Sequence, residues 1–463
     1  MTGKTRKDKT RLRRRVVTEL MAERIVQKKT QAELAENLGT SRTSLSRIEH
    51  GRQNVTVDYI QAMAEAMDRE VEFVVREAPV EYGDESTYSL KLYDEELLRF
   101  SMSRGGDINT RIIKINEPRR ELLPLELEVT DEGLMNWLRR RTIPRNREAV
   151  GTVLRSLDLE ITDLKGITDV CMGLSLNDSY WTPQIDFEGK FGDLNLYENR
   201  FDETLSLISY VGYGRNASLN GTTPELTTGG MLRKGWHFTK KGIYLYKSGT
   251  SELANAGNEP YSEYMAYQVA NKMGLNAVPY TLANWHGMLA SKCPLFTDID
   301  TSFIPIGGIV REGGINACLD YYKELGDSFY QELVSMLVFD AVILNEDRHF
   351  GNFGLMRNNH TGEILRPAPI FDNGLSLLCY GLKQDFETPD RFEEYVHSRT
   401  NPYGHDNQFM DLAGRIIGPI QRQQLRHLID FELEESDVTN LPSWRTSRLE
   451  ELIRTRARKL MAL

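Results

Sequence analysis

The chain of 463 residues is 40% hydrophobic and 27% charged, a composition typical of a globular protein with more than one domain. Its net charge at pH 7 is −10, yet residues 1–80 carry 16 Lys and Arg against 12 Asp and Glu, so a basic head precedes a body of charge −14. No apolar run reaches the length of a membrane helix, and no apolar signal stretch follows the basic N-terminus, so we expect a cytoplasmic protein without a membrane partner. The four cysteines lie far apart without a CxxC pair, which favours reduced thiols.

The first fifteen residues form a basic arm that holds eight Lys or Arg and one acid, Asp8. Such an arm is suited to DNA phosphates or a minor groove, although a solvated tail has the same composition. Apolar residues at helical spacing then predict a helix over residues 16–26. We therefore assign the arm to residues 1–15 and a first domain to residues 16–78.

Residues 30–51, TQAELAENLGTSRTSLSRIEHG, predict two short helices joined by a tight turn at Gly39. Thr30 and Glu33 have the spacing of a capping box, and Ser41 stands at the second N-cap. The pattern resembles the Cro/repressor-like (XRE) helix-turn-helix family at nearly every framework position. The resemblance implies an all-α domain that contacts a double-stranded DNA operator through Gln31, Ser41, Arg42, Thr43, Ser46 and Arg47. A helical protein-binding domain without DNA contact is the competing interpretation.

A further helix over residues 57–67 completes this domain, and the alternation of Val71, Phe73 and Val75 then predicts a strand. A single exposed strand needs a pairing partner. In HipB-like antitoxins, a subset of the same family, such a strand pairs with its copy in a second subunit. The resemblance therefore implies a homodimer, formed through the helix-turn-helix domain, on a two-fold symmetric DNA site.

We interpret residues 79–160 as a linker and a small α/β subdomain, with a β-rich stretch over 89–116 and helices at 131–141 and 146–157. A second basic cluster is interpreted as a solvated face, with binding of DNA or a phosphorylated partner as the alternative: Arg139, Arg140, Arg141, Arg145 and Arg147. Further on, GLSLNDSYW at 173–181 predicts a compact loop anchored by its aromatic residues. The two glycines of VGYGRNAS at 211–218 predict a turn rather than a nucleotide loop.

A first lobe of the body is predicted over residues 161–300. The turn ELTTGG and the basic residue behind it are suited to phosphate groups, and the candidate ATP-binding residues are Thr227, Thr228, Gly229, Gly230 and Lys234. A short strand then ends near Lys247, and the next helix is expected to carry Glu263 in its first turn. A strand lysine paired with a helix glutamate aligns ATP phosphates in kinases. Further strands are expected at 278–280 and 288–292.

The densest group of polar residues follows an apolar run at 333–344. NEDRHFGNFG contains Asp347 and Asn352, and PIFDNG contains Asp372 after an apolar pair. An Asp that deprotonates a hydroxyl, with an Asn and a second Asp as oxygen ligands for Mg²⁺, is what phosphoryl transfer from ATP requires. A helix-end ion pair between Asp347 and Arg348 and a loop cap at Asn352 are the structural alternatives, but the joint spacing favours catalysis.

Taken in order, these segments resemble the HipA-like serine/threonine kinases over residues 160–440, most specifically in NEDRHFGNFG and PIFDNG. The resemblance implies ATP and Mg²⁺ as cofactors, Asp347 as catalytic base, and Asn352 and Asp372 as metal ligands. It also implies that Lys247 and Glu263 bind ATP and that His349 helps to hold the catalytic loop.

The same resemblance places an inhibitory phosphoserine of the family at the position of Thr227 or Thr228, so self-phosphorylation there is a hypothesis. The loop departs from the family's Gly-Ala-Gln pattern. The C-terminal lobe is expected over residues 301–463 and to be mainly helical, with its last helices at 406–417, 420–433 and 445–461.

The fold class expected is a multidomain protein: an all-α helix-turn-helix domain followed by an α+β, two-lobed, protein-kinase-like body. The function expected is phosphoryl transfer from ATP to a protein hydroxyl by a toxin–antitoxin type kinase, fused to an autoregulatory transcriptional repressor. One alternative is a transcription regulator whose kinase fold senses a nucleotide or partner without catalysis. Another is a small-molecule or lipid kinase, because FDNG before an apolar run also occurs in phosphoinositide-type kinases.

Overall fold

A computed structural model describes residues 17, 20–21, 23–24, 27, 29–49, 53, 55–69, 71, 85–104, 109–145, 147–148, 150–157, 159–201, 203–211, 222–250, 257–403 and 409–463. The basic arm, most of the strand predicted over 71–75 and the turn predicted over 212–218 lie outside these residues. Within the described segments, no helix is both long and apolar enough to cross a bilayer.

The head contains three short helices behind a stretch whose described residues, such as Val17 and Leu20, are helical: α1 (Gln31–Asn37), α2 (Arg42–Glu49) and α3 (Val57–Glu65). The predicted capping box is present, because Thr30 and Glu33 each bond the other's backbone N–H. Gly39 makes the turn with φ +63°, a conformation that favours glycine. Leu34, Leu45 and Met63 are buried between the helices.

The middle region is built on an antiparallel sheet of order β3–β2–β1–β4: β1 (Glu85–Leu92), β2 (Glu95–Ser103), β3 (Thr110–Ile115) and β4 (Tyr180–Trp181). A 3₁₀ turn (Glu117–Leu122) and α4 (Asp131–Arg140) cover it. The β-rich stretch and its helix are therefore where the sequence predicts them. The aromatic end of the predicted 173–181 loop is a strand, in which Trp181 pairs with Lys91.

A helical layer connects the middle sheet to the next lobe: α5 (Val150–Ser156), α6 (Leu164–Cys171), α7 (Phe191–Leu194) and α8 (Glu203–Val211). Its core includes Val153, Ile167 and Ile208. The hydroxyls of Ser206 and Ser209 on α8 donate to backbone carbonyls of the first strand of the next sheet, at 2.5 and 2.9 Å. The middle region is thereby joined directly to the lobe that follows it.

The first lobe has an antiparallel sheet of order β5–β6–β8–β7 with one helix against it: β5 (Lys234–Thr239), β6 (Gly242–Ser248), α9 (Glu259–Lys272), β7 (Thr281–Trp285) and β8 (Met288–Pro294). Because α9 begins at Glu259, Glu263 lies in its second turn, and the prediction of its first turn was wrong. The strand predicted over 278–280 was also wrong, since the strand there begins at Thr281.

The second lobe is mainly helical: α10 (Ile306–Ile309), α11 (Gly314–Leu325), α12 (Asp327–Ile343), α13 (Pro389–His397), α14 (Phe409–Ile416), α15 (Pro419–Arg426) and α16 (Ser443–Ala462), with a 3₁₀ turn (Lys383–Phe386). A three-stranded sheet that the sequence did not predict lies beside them, in the order β11 (Ile364–Pro367), β10 (Gly354–Asn358), β9 (Thr301–Pro305). Every residue of α12 from Leu333 to Ile343 is buried.

Candidate active site

A buried lysine joins the two lobes of the body. Lys247 Nζ, near the end of β6, lies 2.9 Å from Glu263 Oε1 on α9 and 2.7 Å from Asp372 Oδ1. Glu263 Oε2 accepts a hydrogen bond of 2.8 Å from the backbone N–H of Asn373. The strand lysine, the helix glutamate and the aspartate that the sequence places far apart are therefore one hydrogen-bonded network.

Charge pairing sets the protonation of this network. Burial would raise the pKa of Asp372, but Lys247 and Lys234 hold it well below the ordinary range of a carboxyl. Burial likewise opposes the charge on Lys247, yet Asp372 and Glu263 raise its pKa well above the usual value. Asp372 has φ +56°, in the left-handed region that Asp enters more readily than most residues. The side chain is thus an anion on a constrained backbone.

The loop predicted to be catalytic, called the catalytic loop below, begins where α12 ends, at Leu344 with φ +56°. Asp347 is half-buried, and its backbone N–H donates to Asn345 Oδ1 at 3.1 Å. Burial and the nearby charge of Asp372 raise the pKa of Asp347. Asn352 donates from Nδ2 to the Asp347 carbonyl at 3.0 Å, which fixes the orientation of its amide. The two predicted residues are held together by the loop itself.

Arg348 is fully buried and holds this loop to the segment that carries Asp372. Its guanidinium pairs with Asp340 on α12 at 3.0 Å, so the ion pair considered between Asp347 and Arg348 does not form. The same group donates to the carbonyls of Asn352 and Phe371, at 3.1 and 2.5 Å. This role was not predicted from the sequence, although an aspartate inside an apolar helix indicates that a buried cation will face it.

His349 is exposed, and its Nδ1 accepts from the backbone N–H of Gly351 at 3.0 Å. Among the described residues, the hydrogen bonds of His349 are made within its own turn. The bonds that connect the loop to α12 and to the Asp372 segment come from Arg348 instead.

The predicted phosphate loop is a turn whose hydroxyls point into the protein. Thr227 is buried and donates to the Leu174 carbonyl at 2.8 Å, whereas half-buried Thr228 donates to the Pro224 carbonyl at 2.7 Å. Lys234 Nζ donates to the Gly229 carbonyl at 2.8 Å, and burial and the charge of Lys247 lower the pKa of Lys234 to about 7. In this conformation the Thr227 hydroxyl is not open to phosphorylation.

Gly230 is required by this arrangement. It has φ +87°, and a Cβ there would come within 2.1 Å of Lys234 Nζ. Gly229, by contrast, has open space around the position of a Cβ.

Two residues of the middle region, Arg147 and Glu148, donate hydrogen bonds to the predicted phosphate loop. Arg147, fully buried, pairs with Glu225 Oε2 at 3.1 Å and donates to the carbonyls of Thr228 and Lys234 at 3.2 and 2.9 Å. The backbone N–H of Glu148 donates to the Met231 carbonyl at 2.8 Å. Arg147 was predicted to lie on a solvated face, and that prediction was wrong.

The other arginines of the same cluster differ from one another. Arg141 is also buried, where it pairs with Asp178 at 2.5 Å, so the solvated-face prediction was wrong for it too. Arg139 and Arg145 are exposed, as predicted.

Asn352 and Asp372 suit Mg²⁺ chemically. With Asn352 Nδ2 bonded to the backbone, its Oδ1 is the end that remains for a cation, and Asp372 is held as an anion. Both donors are hard oxygens. In the described segments, no group of three or more His, Cys, Asp or Glu side chains is arranged to hold a metal, so phosphate oxygens and water would complete a magnesium shell.

Of the predicted DNA-facing residues, Gln31 is the first residue of α1 and the others lie on α2 or directly before it. Ser41, Arg42, Thr43 and Arg47 are exposed, and Ser46 is half-buried. Ser41 also accepts from the backbone N–H of Ser44 at 3.1 Å, as an N-cap does. Gln31 is half-buried and donates to Glu49 at 2.6 Å, so its amide is already engaged inside the domain.

Comparison with known proteins supports the division into head and body. The family model described as "Helix-turn-helix" matches residues 20–74. The serine/threonine-protein kinase CtkA of Helicobacter pylori is 26% identical over 147 residues, which cover 28% of this chain and 44% of CtkA. The chain thus spans less than half the length of this curated relative. The head is therefore a helix-turn-helix domain, and the body is similar to a serine/threonine kinase.

Two solved structures also match this chain, with lower sequence identities than the curated relative. The crystal structure of the H. pylori proinflammatory kinase CtkA matches with a TM-score of 0.40 and 19% identity, covering 51% of this chain and 90% of that one. A chain from the Shewanella oneidensis MR-1 toxin–antitoxin complex of HipA, HipB and operator DNA matches with a TM-score of 0.47 and 10% identity, covering 81% and 99%.

Proposed function

We propose that the body is an ATP-dependent kinase that phosphorylates serine or threonine hydroxyls of a protein. The observation that carries this proposal is the network in which Lys247 joins Glu263 and Asp372 at 2.9 and 2.7 Å. A lysine held between a helix glutamate and the metal-binding aspartate is the arrangement that kinases need to align ATP. The similarity to CtkA supports the serine/threonine specificity.

The roles follow from the protonation of each group. Asp347 is the base that accepts the proton of the acceptor hydroxyl, and its raised pKa brings it closer to working pH. Asn352 and Asp372 would hold Mg²⁺, which neutralises charge that develops on the transferred phosphoryl group. Lys247 binds the α- and β-phosphates, and Lys234 with the Thr227–Gly230 turn binds the phosphates further out.

We also propose that the helix-turn-helix domain binds an operator as a homodimer and represses its own promoter, with the kinase as the toxin component. The exposed side chains of Ser41, Arg42, Thr43 and Arg47 support DNA contact. The toxin–antitoxin assignment rests on the resemblance of the sequence to HipA-like kinases and HipB-like antitoxins, the two proteins that the S. oneidensis complex combines with operator DNA.

The test is transfer of label from ATP with Mg²⁺ to the protein itself and to a degenerate serine/threonine peptide mixture. Asp347→Asn and Asp372→Ala should each lower the rate by at least about 100-fold, because one loses the base and the other a metal ligand. The control Asp320→Asn, on the exposed side of α11, should match the wild type. Equal label in all four proteins would refute the kinase proposal. Binding of ATP by the wild type without any transfer would favour the nucleotide-sensing alternative.

A further inference from the structure

A cavity lies in the C-terminal lobe, between α13, α14 and α16. Its volume is about 240 Å³. The walls are largely apolar and include Leu344, Phe392, Val396, Phe409, Met410 and Leu452. Leu344 is the residue directly before the catalytic loop, so the cavity touches the root of that loop.

One side chain of this cavity carries a charge that the protein does not offset. Arg456 on α16 is 8% exposed and lines the cavity. Its Nε donates to the Ala341 carbonyl at 2.5 Å. Over the described part of the chain, no carboxylate lies within ion-pairing distance of its guanidinium, and burial lowers its pKa to about 10 with no neighbouring charge to raise it. Its two terminal nitrogens therefore keep donors for a ligand.

The other buried arginines show how unusual this is. Arg24, Arg141, Arg147 and Arg348 each pair with a carboxylate. Arg445, which has no such pair, donates from its terminal nitrogens to three backbone carbonyls at 2.6 to 3.2 Å. Arg357 also has no such pair, and it donates to three backbone carbonyls and to the Tyr180 hydroxyl. Arg456 has one carbonyl, bonded through Nε. Because its terminal nitrogens lack protein partners, an anion bound beside them would supply the charge pairing and hydrogen bonds that the other buried arginines find within the protein.

The rim of the cavity carries charges of both signs, because Glu393 and Glu451 line it beside Arg399, Arg448 and Lys459. Arg399 and Arg448 line it while each pairs with one carboxylate, Glu346 at 3.2 Å and Glu451 at 3.0 Å. Lys459 also lines it and is exposed. Because Arg399 and Arg448 are already paired with carboxylates, the buried charge that a ligand would neutralise is the single positive charge of Arg456. A single negative charge on an apolar body fits this cavity better than a dianion, which would bury a second charge without a partner.

We propose that the cavity between α13, α14 and α16 binds a small amphipathic carboxylate, whose carboxyl group pairs with Arg456 and whose apolar chain lies against Phe392, Phe409 and Leu452. A guanidinium presents paired N–H donors that match a carboxylate. The site is independent of the proposed kinase chemistry, although Glu346, beside the candidate base, is tied to its rim through Arg399.

The test uses the full chain and three eight-carbon probes: octanoate, octanol and octyl phosphate. Octanoate at ten times its dissociation constant should raise the melting temperature by about 2–4 °C. Octanol should bind at least about tenfold more weakly, because it leaves the guanidinium unpaired. Octyl phosphate should bind no more tightly than octanoate. Binding is measured by calorimetry and melting by fluorescence.

The variant Arg456→Met should remove octanoate binding. Since it also removes an uncompensated buried charge, the variant should fold and melt no lower than the wild type without ligand. Arg458→Met, on the exposed side of the same helix, should bind octanoate as the wild type does. The proposal is overturned if octanoate does not bind, if Arg456→Met binds it equally well, or if octyl phosphate binds more tightly.

Discussion

A fully buried arginine holds each side of the candidate active site. Arg348 pairs with a carboxylate close to it in the sequence, whereas Arg147 pairs with one far from it. Arg348 pairs with Asp340, eight residues away, and bonds carbonyls of its own loop and of the Asp372 segment. Arg147 pairs with Glu225, 78 residues away, and bonds carbonyls at both ends of the phosphate loop. The side that would carry the chemistry is therefore held by contacts within 25 positions of Arg348 along the chain, whereas the side that would hold phosphates depends on the middle region.

This difference implies that the middle region supports the side that would hold phosphates. Arg147 and Glu148 precede α5, and they contact the phosphate loop rather than the catalytic residues. A change in the middle region would reach the phosphate-binding side first. Loss of Arg147 should thus alter ATP binding, and loss of Arg348 should alter transfer itself.

The largest effect is expected at Arg348. Arg348→Ala leaves the Asp340 carboxylate buried without a cation, so the free energy of unfolding should fall by about 3–5 kcal/mol and transfer should be lost. Urea unfolding measures the first and label transfer the second. The double variant Arg348→Met/Asp340→Leu should recover most of the stability because no buried charge remains, yet stay inactive. Activity in that double variant would show that Arg348 does not position the loop.

A smaller and different effect is expected at Arg147. Arg147→Lys keeps the charge but has fewer donors for the Glu225, Thr228 and Lys234 carbonyls, so KM for ATP should rise about tenfold while kcat changes by less than about twofold. Steady-state kinetics over a range of ATP concentrations measures both. Arg145→Lys, at an exposed position of the same cluster, is the matched control. A fall in kcat at unchanged KM would contradict the division of labour between the two sides.

The smallest effect concerns the pH profile of the phosphate side. Burial and Lys247 lower the pKa of Lys234 to about 7, so this lysine loses its proton as pH rises through neutrality. Since kcat/KM reports groups of the free enzyme, kcat/KM for ATP should fall about eightfold between pH 6.5 and 8.

The conservative variant isolates that lysine. Lys234→Arg, which stays charged, should flatten the alkaline side of the profile, whereas Lys241→Arg, at an exposed position, should leave it unchanged. An alkaline fall that persists unaltered in Lys234→Arg would mean that another group causes it.

The sequence predicted most where a local pattern carries the structure. The capping box at Thr30, the turn at Gly39 and the strands around Ile112 follow from nearest neighbours along the chain. The start of α9 was missed although Pro260 stands at its first turn, a position that favours proline. At the site, the pair of Lys247 and Glu263 was predicted from the order of residues that a kinase resemblance gave, whereas the contact between Lys247 and Asp372 was not predicted.

Contacts between residues far apart in the sequence could not be predicted from local patterns. Nothing near Arg147 in the sequence indicates Glu225, and charge density alone favoured a solvated face. The uncompensated charge of Arg456 likewise depends on what α13, α14 and α16 bring together. Burial of a charge is a property of the packed chain, and composition does not determine it.

The burial of α12 has a consequence for cooperativity. With each residue from Leu333 to Ile343 inside the lobe, this part of the helix has no solvent-exposed face from which to open locally. It must unfold with the lobe around it, as part of one cooperative unit. The catalytic loop at its end therefore has little freedom to be switched by partial unfolding, and control of the protein is expected to enter through the phosphate loop or the cavity beside Leu344.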